Sequence, residues 1–262
     1  MLAYLPTHIV VYLYVLAAVL GAVLGSGLNC LSYRLAREQK WSGKERSVCV
    51  HCGHVLSTKD LIPVLSFLFL KGKCRYCGKK LSARYVLTEL LLAAVFMSLL
   101  WRFGLTLNAI TPAVLCCCLF CLSLVDLDTQ IIPDRFLLIP AVCRAVELLL
   151  AGGLKGLLTG ILPGLIIGGG VLALSLIMDK VLKKDTMGGG DIKLLALLGM
   201  FFTLPECILL VVIACVVGIV MASILLKVDA ETAFPFGPAL AIAAWITLLI
   251  GSPLVNWYLG LF

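Results

Sequence analysis

Long runs of apolar residues separated by short polar segments dominate this chain. Eight of them predict helices, at residues 9–28, 85–103, 107–125, 136–151, 157–178, 192–203, 206–226 and 236–250. About 20 apolar residues cross a bilayer as a helix, and these runs lack the alternation of β-barrel strands. We therefore predict an all-α polytopic membrane protein with about eight transmembrane helices. The sixth run is too short to cross unaided and is expected to tilt or to begin inside the protein.

Charged residues are concentrated in one segment. Residues 34–84 carry 12 of the 21 Lys and Arg residues against three acids. By the positive-inside rule this segment is cytoplasmic. We predict a first transmembrane helix (1–33), a cytoplasmic basic loop (34–84) and a membrane core (85–262). Because this segment has a larger net positive charge than the +7 of the whole chain and lies beside a membrane helix, the charge indicates a partner bilayer with anionic headgroups and no nucleic acid.

The basic loop contains an internal repeat, Cys-x-x-Cys-Gly at residues 49–53 and 74–78. Two such knuckles predict a tetrahedral zinc site, and a cytoplasmic location disfavours disulfides. Four protein ligands leave no open position, so the zinc is expected to be structural and to be needed for the loop to fold. A His in place of one thiolate, at 51 or 54, and an iron–sulfur cluster are the alternatives. The predicted ligands are Cys49, Cys52, Cys74 and Cys77.

Two carboxylates lie where apolar runs meet polar segments. Asp126 comes at the end of the third run, and Asp191 precedes the sixth, directly after three glycines. The predicted topology brings both to the cytoplasmic membrane face. Two neighbouring acids share a proton, so the ionised one can deprotonate water and the neutral one can protonate a carbonyl. This pattern predicts aspartic peptide hydrolysis.

Other readings of these acids stay open at this point. Asp128 and Asp134 are alternatives to Asp126, although Asp134, between Pro133 and Arg135, is better explained as a capping or paired surface acid. Asp191 alone would also suit the N-terminal cap of a helix.

Glycine recurs at every fourth position from 152 to 168. Such a stripe leaves one helix face nearly flat and permits close helix packing. Packing within the molecule is the favoured interpretation, and docking of a substrate helix is the alternative.

Several motifs together make the chain resemble the type IV prepilin peptidases, bacterial membrane aspartic proteases of the Gly-x-Gly-Asp class. The paired cysteine knuckles are similar to those of full-length family members. The other matching segments are residues 25–34 (with Gly27 in place of the usual aromatic), 62–66, 84–89 (with Val86 in place of the usual Pro), 126–134, 188–193 and 235–238.

The resemblance implies the activity and the substrate. It implies a multi-pass protein of the bacterial cytoplasmic (inner) membrane that cuts the basic leader of type IV prepilins or pseudopilins after Gly, on the cytoplasmic side. Members with the cysteine loop also N-methylate the new N-terminus with S-adenosylmethionine.

The site residues that follow from this combined reading fall into three groups. Asp126 and Asp191 are the expected catalytic pair. Gly188, Gly190 and Lys193 are expected to support it. Asn29, Arg34 and Glu89 are polar residues near membrane depth on the loop side, and they are the candidates for the methyltransferase site. Helix-end anchoring and snorkelling are their alternative roles.

Two other function classes compete with the enzyme. A carboxylate-gated transporter would place its acids near the bilayer midplane, in broken helices of two repeats. A zinc-binding membrane scaffold would use the loop to dock a partner and leave the acids incidental. Detergent-purified protein tested on a synthetic prepilin would separate all three.

Overall fold

The computed structural model describes residues 5–39, 47–183, 187–225 and 235–261. Part of the predicted basic loop (40–46) and the basic residues Lys184 and Lys227 lie outside these ranges. Within them the chain is helical, apart from two isolated β-bridges in the loop and the connecting turns. The α-helices are α1 (Thr7–Ala36), α2 (Leu65–Phe69), α3 (Arg84–Phe103), α4 (Ile110–Thr129), α5 (Arg135–Leu182), α6 (Gly189–Leu198), α7 (Leu204–Leu225) and α8 (Gly237–Leu259).

Six of the helices in the described ranges are long and apolar enough to cross a membrane: α1, α3, α4 with its preceding turn, α5, α7 and α8. The prediction of an all-helical, multi-pass membrane protein is therefore confirmed. The predicted number of eight crossings is not confirmed. The difference between the predicted and observed helices lies in α5 and α6.

Helix α5 contains two of the predicted spans. Its 48 residues are interrupted at Gly153, which has φ +59° and ψ −153°, a conformation that favours glycine. Beyond it, Gly156 faces the carbonyl of Leu148 and Gly160 faces the Leu148 side chain. In a straight helix Gly160 would lie about 18 Å from Leu148. The chain therefore folds back at Gly153, and the arms 135–152 and 154–182 pack against each other.

The sixth predicted span is a short helix instead. Helix α6 has ten residues, about 15 Å of length, which is half of a hydrocarbon core. It ends in tight turns, because the N–H groups of Met200 and Phe201 bond carbonyls three residues earlier. The Arg144 side chain then donates to the Met200 carbonyl at 3.0 Å. This cation satisfies a helix end that would otherwise leave free carbonyls in an apolar setting.

The glycine stripe packs within the molecule. Gly164 lies against Gly199 and the Ala196 carbonyl, and Gly168 lies against the Ala196 side chain. A methyl group at either position would collide with α6. Close contact between the second arm of α5 and α6 is therefore what these small residues permit.

The chain divides into two compact units, Met1–Ala109 and Ile110–Phe262. In the first, α1 and α3 pack antiparallel: Gly21 meets Leu92 and Ala93, and Gly25 meets Thr88. The structure thus groups α3 with the basic loop and α1. The predicted boundaries 1–33, 34–84 and 85–262 stay predictions.

Candidate active site and metal centre

Asp126 lies in the last turn of α4 and is almost completely buried, with 4% of its surface exposed. Its Oδ2 accepts a hydrogen bond from the backbone N–H of Gly237, at 3.0 Å. Gly237 is the first residue of α8, so the first turn of one helix offers a donor to the last turn of another. An N–H donor stabilises the ionised form of a carboxylate.

Asp191 lies in the first turn of α6. One of its oxygens, Oδ1, is buried, and no described residue gives it a hydrogen bond. The Asp126 carboxyl group lies close enough for the two acids to interact electrostatically. The structure therefore brings together, from α4 and α6, the two acids that the sequence predicts to be a pair.

Another buried acid, Glu206, provides a contrast. Glu206, at the start of α7, accepts hydrogen bonds from the Thr203 N–H (2.8 Å), the Thr203 hydroxyl (2.9 Å) and the Ser252 hydroxyl (2.6 Å). This carboxylate caps α7 and ties it to α8. An acid that serves packing is satisfied by such donors, and Asp191 Oδ1 is not. An orphaned buried oxygen is typical of a functional group awaiting water or substrate.

Glycines surround both acids. A Cβ on Gly188 would lie 3.2 Å from Asp191 Oδ2, and a Cβ on Gly190 would lie 2.9 Å from the Cβ of Ile132. At Gly189, between them, no described atom lies within 4 Å of that position. The two glycines that the sequence assigns to active-site support are thus the two in close contact.

Gly237 has a role that is not predicted from the sequence. A Cβ there would lie 2.6 Å from Asp126 Oδ2, so only glycine allows the backbone to approach this carboxylate. The available signal was the Pro-Phe-Gly-Pro segment at 235–238, which begins the last apolar run.

The rival acids lie in exposed positions. Asp128 is exposed, whereas Asp126, two residues earlier, is buried. Asp134 precedes α5 and forms an ion pair with Lys193, at 2.8 Å, with both side chains exposed. Asp134 is therefore a paired surface acid. Lys193, which was expected to support the active site, holds Asp134 in this structure rather than Asp126 or Asp191.

The metal centre is built from two copies of one turn. In each knuckle the first cysteine's N–H bonds a carbonyl five residues later, and its carbonyl accepts the N–H of the glycine. Gly53 and Gly78 have φ +69° and +68°, which explains the trailing glycine of both repeats. The repeated geometry aims two pairs of sulfurs at one point.

The four sulfurs fit a metal ion. One ligand atom from each of Cys49, Cys52, Cys74 and Cys77 lies within 4.8 Å of the others, and tetrahedral zinc at about 2.3 Å from sulfur requires S–S separations near 3.8 Å. Backbone N–H groups of His51 and then Cys52 lower the pKa of the Cys49 thiol to about 6. The Cys49 thiol thus favours the thiolate form that metals bind.

The two histidines of the loop are engaged elsewhere. The His51 ring nitrogen Nε2 lies 3.2 Å from the Lys80 carbonyl, and the His54 ring stacks on Tyr76 with centroids 3.6 Å apart. Neither belongs to the cluster of four ligand atoms found among the described residues. They join the two knuckles to each other instead.

Asp60 is a second residue that the sequence analysis left without a role. Its carboxylate accepts bonds from the Arg75 guanidinium (2.6 Å), the Tyr76 hydroxyl (3.1 Å) and both the N–H and hydroxyl of Ser57. The Arg75 guanidinium and these donors hold the pKa of Asp60 well below its usual range. This ionised acid therefore fastens the segment between the knuckles to the second knuckle.

The methyltransferase candidates lie in the first unit. Asn29 in α1 and Glu89 in α3 are buried, with 5% and 7% of their surfaces exposed, and Arg34 lies in the last turn of α1. The Glu89 carboxylate accepts the backbone N–H of Val64 at 2.7 Å. Buried polar residues therefore collect where α1 and α3 meet the loop.

Fold and site together define a class: a multi-pass helical membrane protein with a pair of aspartates, one buried and one half-buried, and a four-cysteine loop. Residues 19–103 match the bacterial peptidase A24 N-terminal domain, and residues 113–223 match the type IV leader peptidase family. The chain belongs to the type IV leader peptidase family.

Curated relatives cover nearly the whole chain. Proteins named prepilin leader peptidase/N-methyltransferase match it from Pseudomonas putida (34% identical, 92% of each chain), Neisseria gonorrhoeae (33%, 93% of this chain and 94% of the relative) and Pseudomonas aeruginosa (33%, 90% and 89%). No solved structure gives a significant match.

Proposed function

We propose that this protein is an aspartic endopeptidase of the bacterial inner membrane that removes the leader from type IV prepilins or pseudopilins after Gly, on the cytoplasmic side. The observation that carries the proposal is the aspartate pair from α4 and α6, in which the buried Asp126 is held by Gly237 and Asp191 keeps one buried oxygen without a hydrogen bond. Family membership and the names of the relatives support the substrate class.

The environments of the two acids suggest their roles. Asp126, which accepts a backbone N–H, is the ionised member, and Asp191 holds the shared proton. Asp126 takes a proton from water, and the resulting hydroxide adds to the scissile carbonyl carbon while Asp191 protonates the carbonyl oxygen. Collapse of this gem-diol breaks the C–N bond: Asp126 gives its proton to the leaving amine, and one diol hydroxyl returns a proton to Asp191. Both acids are then ready for another cycle.

We propose N-methylation of the new N-terminus as the second activity, with S-adenosylmethionine as methyl donor. The names of the relatives support it. The buried polar residues Asn29 and Glu89, with Arg34 nearby in sequence, are the candidates in the first unit. A zinc ion held by the four cysteines would be structural there, because all four positions of a tetrahedral ion would be occupied by protein.

The two competing functions have less support. A transporter would hold its acids near the bilayer midplane, whereas Asp126 and Asp191 lie in the last and first turns of their helices. A scaffold gives no reason for a buried carboxylate oxygen without a partner. Neither alternative accounts for the matching relatives along the whole chain.

The test is a comparison of acid-to-amide variants in lipid nanodiscs. Asp126→Asn and Asp191→Asn should each lower cleavage of a synthetic prepilin by on the order of 10³-fold or more, because the pair acts as a unit. Asp128→Asn is the matched control, two residues from Asp126 and exposed. Methylation of a pilin supplied without its leader should persist in all three variants and so report on folding. Wild-type cleavage by either dyad variant would exclude that residue.

A further inference from the structure

The basic loop has an apolar face that the metal centre does not use. Helix α2 exposes Leu65, Leu68 and Phe69, the last with 81% of its surface accessible. Leu61 and Ile62, just before it, are exposed too. On the opposite side of the helix, the Phe67 ring packs against Gly72. Contiguous exposed apolar surface of this kind indicates an interaction site.

A partly buried hydrogen bond fixes the depth of this face. Val64, the residue before α2, donates its N–H to Glu89 of α3. Glu89 lies about 8 Å from the start of α3 along its axis, and its backbone contacts Gly25 of α1. Both α1 and α3 are candidate membrane spans. Helix α2 therefore begins near the loop-side end of α3, level with Gly25 of α1 rather than with the end of α1 at Ala36.

The orientation of α2 is also fixed by the protein. Val64 has φ +61°, which is an outlier for a β-branched residue. Such a conformation persists only when its surroundings enforce it, and the bond from the Val64 N–H to Glu89 is one contact that holds this residue in place. The protein therefore holds the exposed face of α2 in a defined orientation.

The charges around α2 suit an anionic surface. Lys59, Lys71 and Lys73 flank the helix and are exposed. Residues 47–84 contain seven Lys and Arg residues and one acid, Asp60, which is occupied by Arg75. Apolar side chains bordered by lysines, near the loop-side end of a candidate membrane span, match the headgroup region of an anionic leaflet.

We propose that α2 is an interfacial anchor: Leu65, Leu68 and Phe69 insert among the lipids of the anionic cytoplasmic leaflet, and the flanking lysines bind the headgroups. The anchor would hold the metal-binding loop against the membrane at a fixed depth. This inference does not depend on either proposed enzymatic activity.

The test uses ¹⁹F NMR of the full chain in nanodiscs of phosphatidylethanolamine and phosphatidylglycerol. Trifluoromethyl-phenylalanine replaces Phe69 in one sample and Phe67 in another, so two faces of one helix are compared. Lipids spin-labelled near the headgroup and a water-soluble gadolinium chelate are the two broadening agents. The label at 69 should be broadened at least threefold more by the lipid label than by the chelate, and the label at 67 should respond weakly to both.

Three results would overturn the anchor. Stronger broadening of position 69 by the chelate would place α2 in water. Weak broadening by both agents would show that protein covers it. Loss of the lipid effect on adding an excess of a hydrophobic pilin-type helix would make α2 a docking site for that helix. Lys71→Glu with Lys73→Glu tests the charge: the lipid effect at 69 should fall in anionic nanodiscs and stay unchanged in neutral ones.

Discussion

The two units of this protein build their sites in different ways. In the first, four thiolates come from two copies of one tight turn, and each turn is complete within a few residues. In the second, the site needs three helices, and the Gly237 donor lies 111 residues from the Asp126 acceptor. One site is specified locally, and the other exists only because helices meet.

This difference decides what holds each site in place. The knuckles are held by backbone bonds and, we propose, by a metal. The aspartate pair is held by close packing at Gly190 and Gly237, where a side chain would collide with Ile132 or with Asp126 itself. Removing a ligand should therefore unfold the loop, whereas adding one methyl group should displace a carboxylate within an intact fold.

The largest expected effect is loss of the metal. Replacing Cys49, Cys52, Cys74 and Cys77 by Ser should lower bound zinc from about one per chain to nearly none, because structural zinc contributes about 10–16 kcal/mol at such sites. The loop should then be cut rapidly by trypsin at its lysines, while the membrane helices stay resistant. Elemental analysis and mass spectrometry of the fragments measure both results.

Cys116→Ser is the matched control, since Cys116 is buried in α4 and takes no part in the cluster. It should leave the zinc content and the trypsin pattern unchanged. Native protein that contains no metal would exclude a metal site at the four cysteines. The contrast between a metal-held site in one unit and a packed site in the other would then no longer hold.

A smaller effect is expected from the glycines before Asp191. Gly190→Ala places a methyl group against Ile132 and should shift α6 and its acid, lowering kcat/KM for prepilin cleavage by about 10- to 100-fold. Gly189→Ala meets no described atom and should stay within about threefold of wild type. Equal loss in both variants would indicate that the site needs the backbone freedom of glycine rather than close packing. No loss in either variant would exclude both explanations.

The sequence predicts the first site almost residue by residue because its signals are local. The repeated Cys-x-x-Cys-Gly names the ligands, and the positive φ of Gly53 and Gly78 explains the trailing glycine. The aspartates could be found as well, since a carboxylate at the end of an apolar run is costly without a function. What could not be predicted are contacts between distant segments.

Three examples are the contacts made by Gly237, by Asp60 and at the end of α6. The Gly237–Asp126 and Asp60–Arg75 bonds join residues whose neighbourhood in space no spacing rule encodes. The end of α6 depends on Arg144 reaching the Met200 carbonyl, so hydropathy alone extended the predicted span to 203. Hydropathy did find both arms of α5, because glycine at 152 and 153 separates two apolar runs.

The smallest expected effect concerns the ion pair between Asp134 and Lys193, which joins the start of α5 to α6. Both side chains are mostly exposed, and such pairs contribute about 0–1 kcal/mol. Asp134→Asn and Lys193→Met should therefore each keep cleavage within about fivefold of wild type, and the double variant should lose no more than either single one. A double-mutant cycle on kcat/KM measures this coupling.

If Asp134→Asn were as inactive as Asp126→Asn, Asp134 would be the catalytic partner, and the pair of Asp126 with Asp191 would be wrongly assigned. If only Lys193→Met lost activity by orders of magnitude, the lysine would act on the aspartates directly, as the sequence led us to expect. Small losses that do not grow in the double variant would instead leave the site to Asp126, Asp191 and the glycines that bring them together.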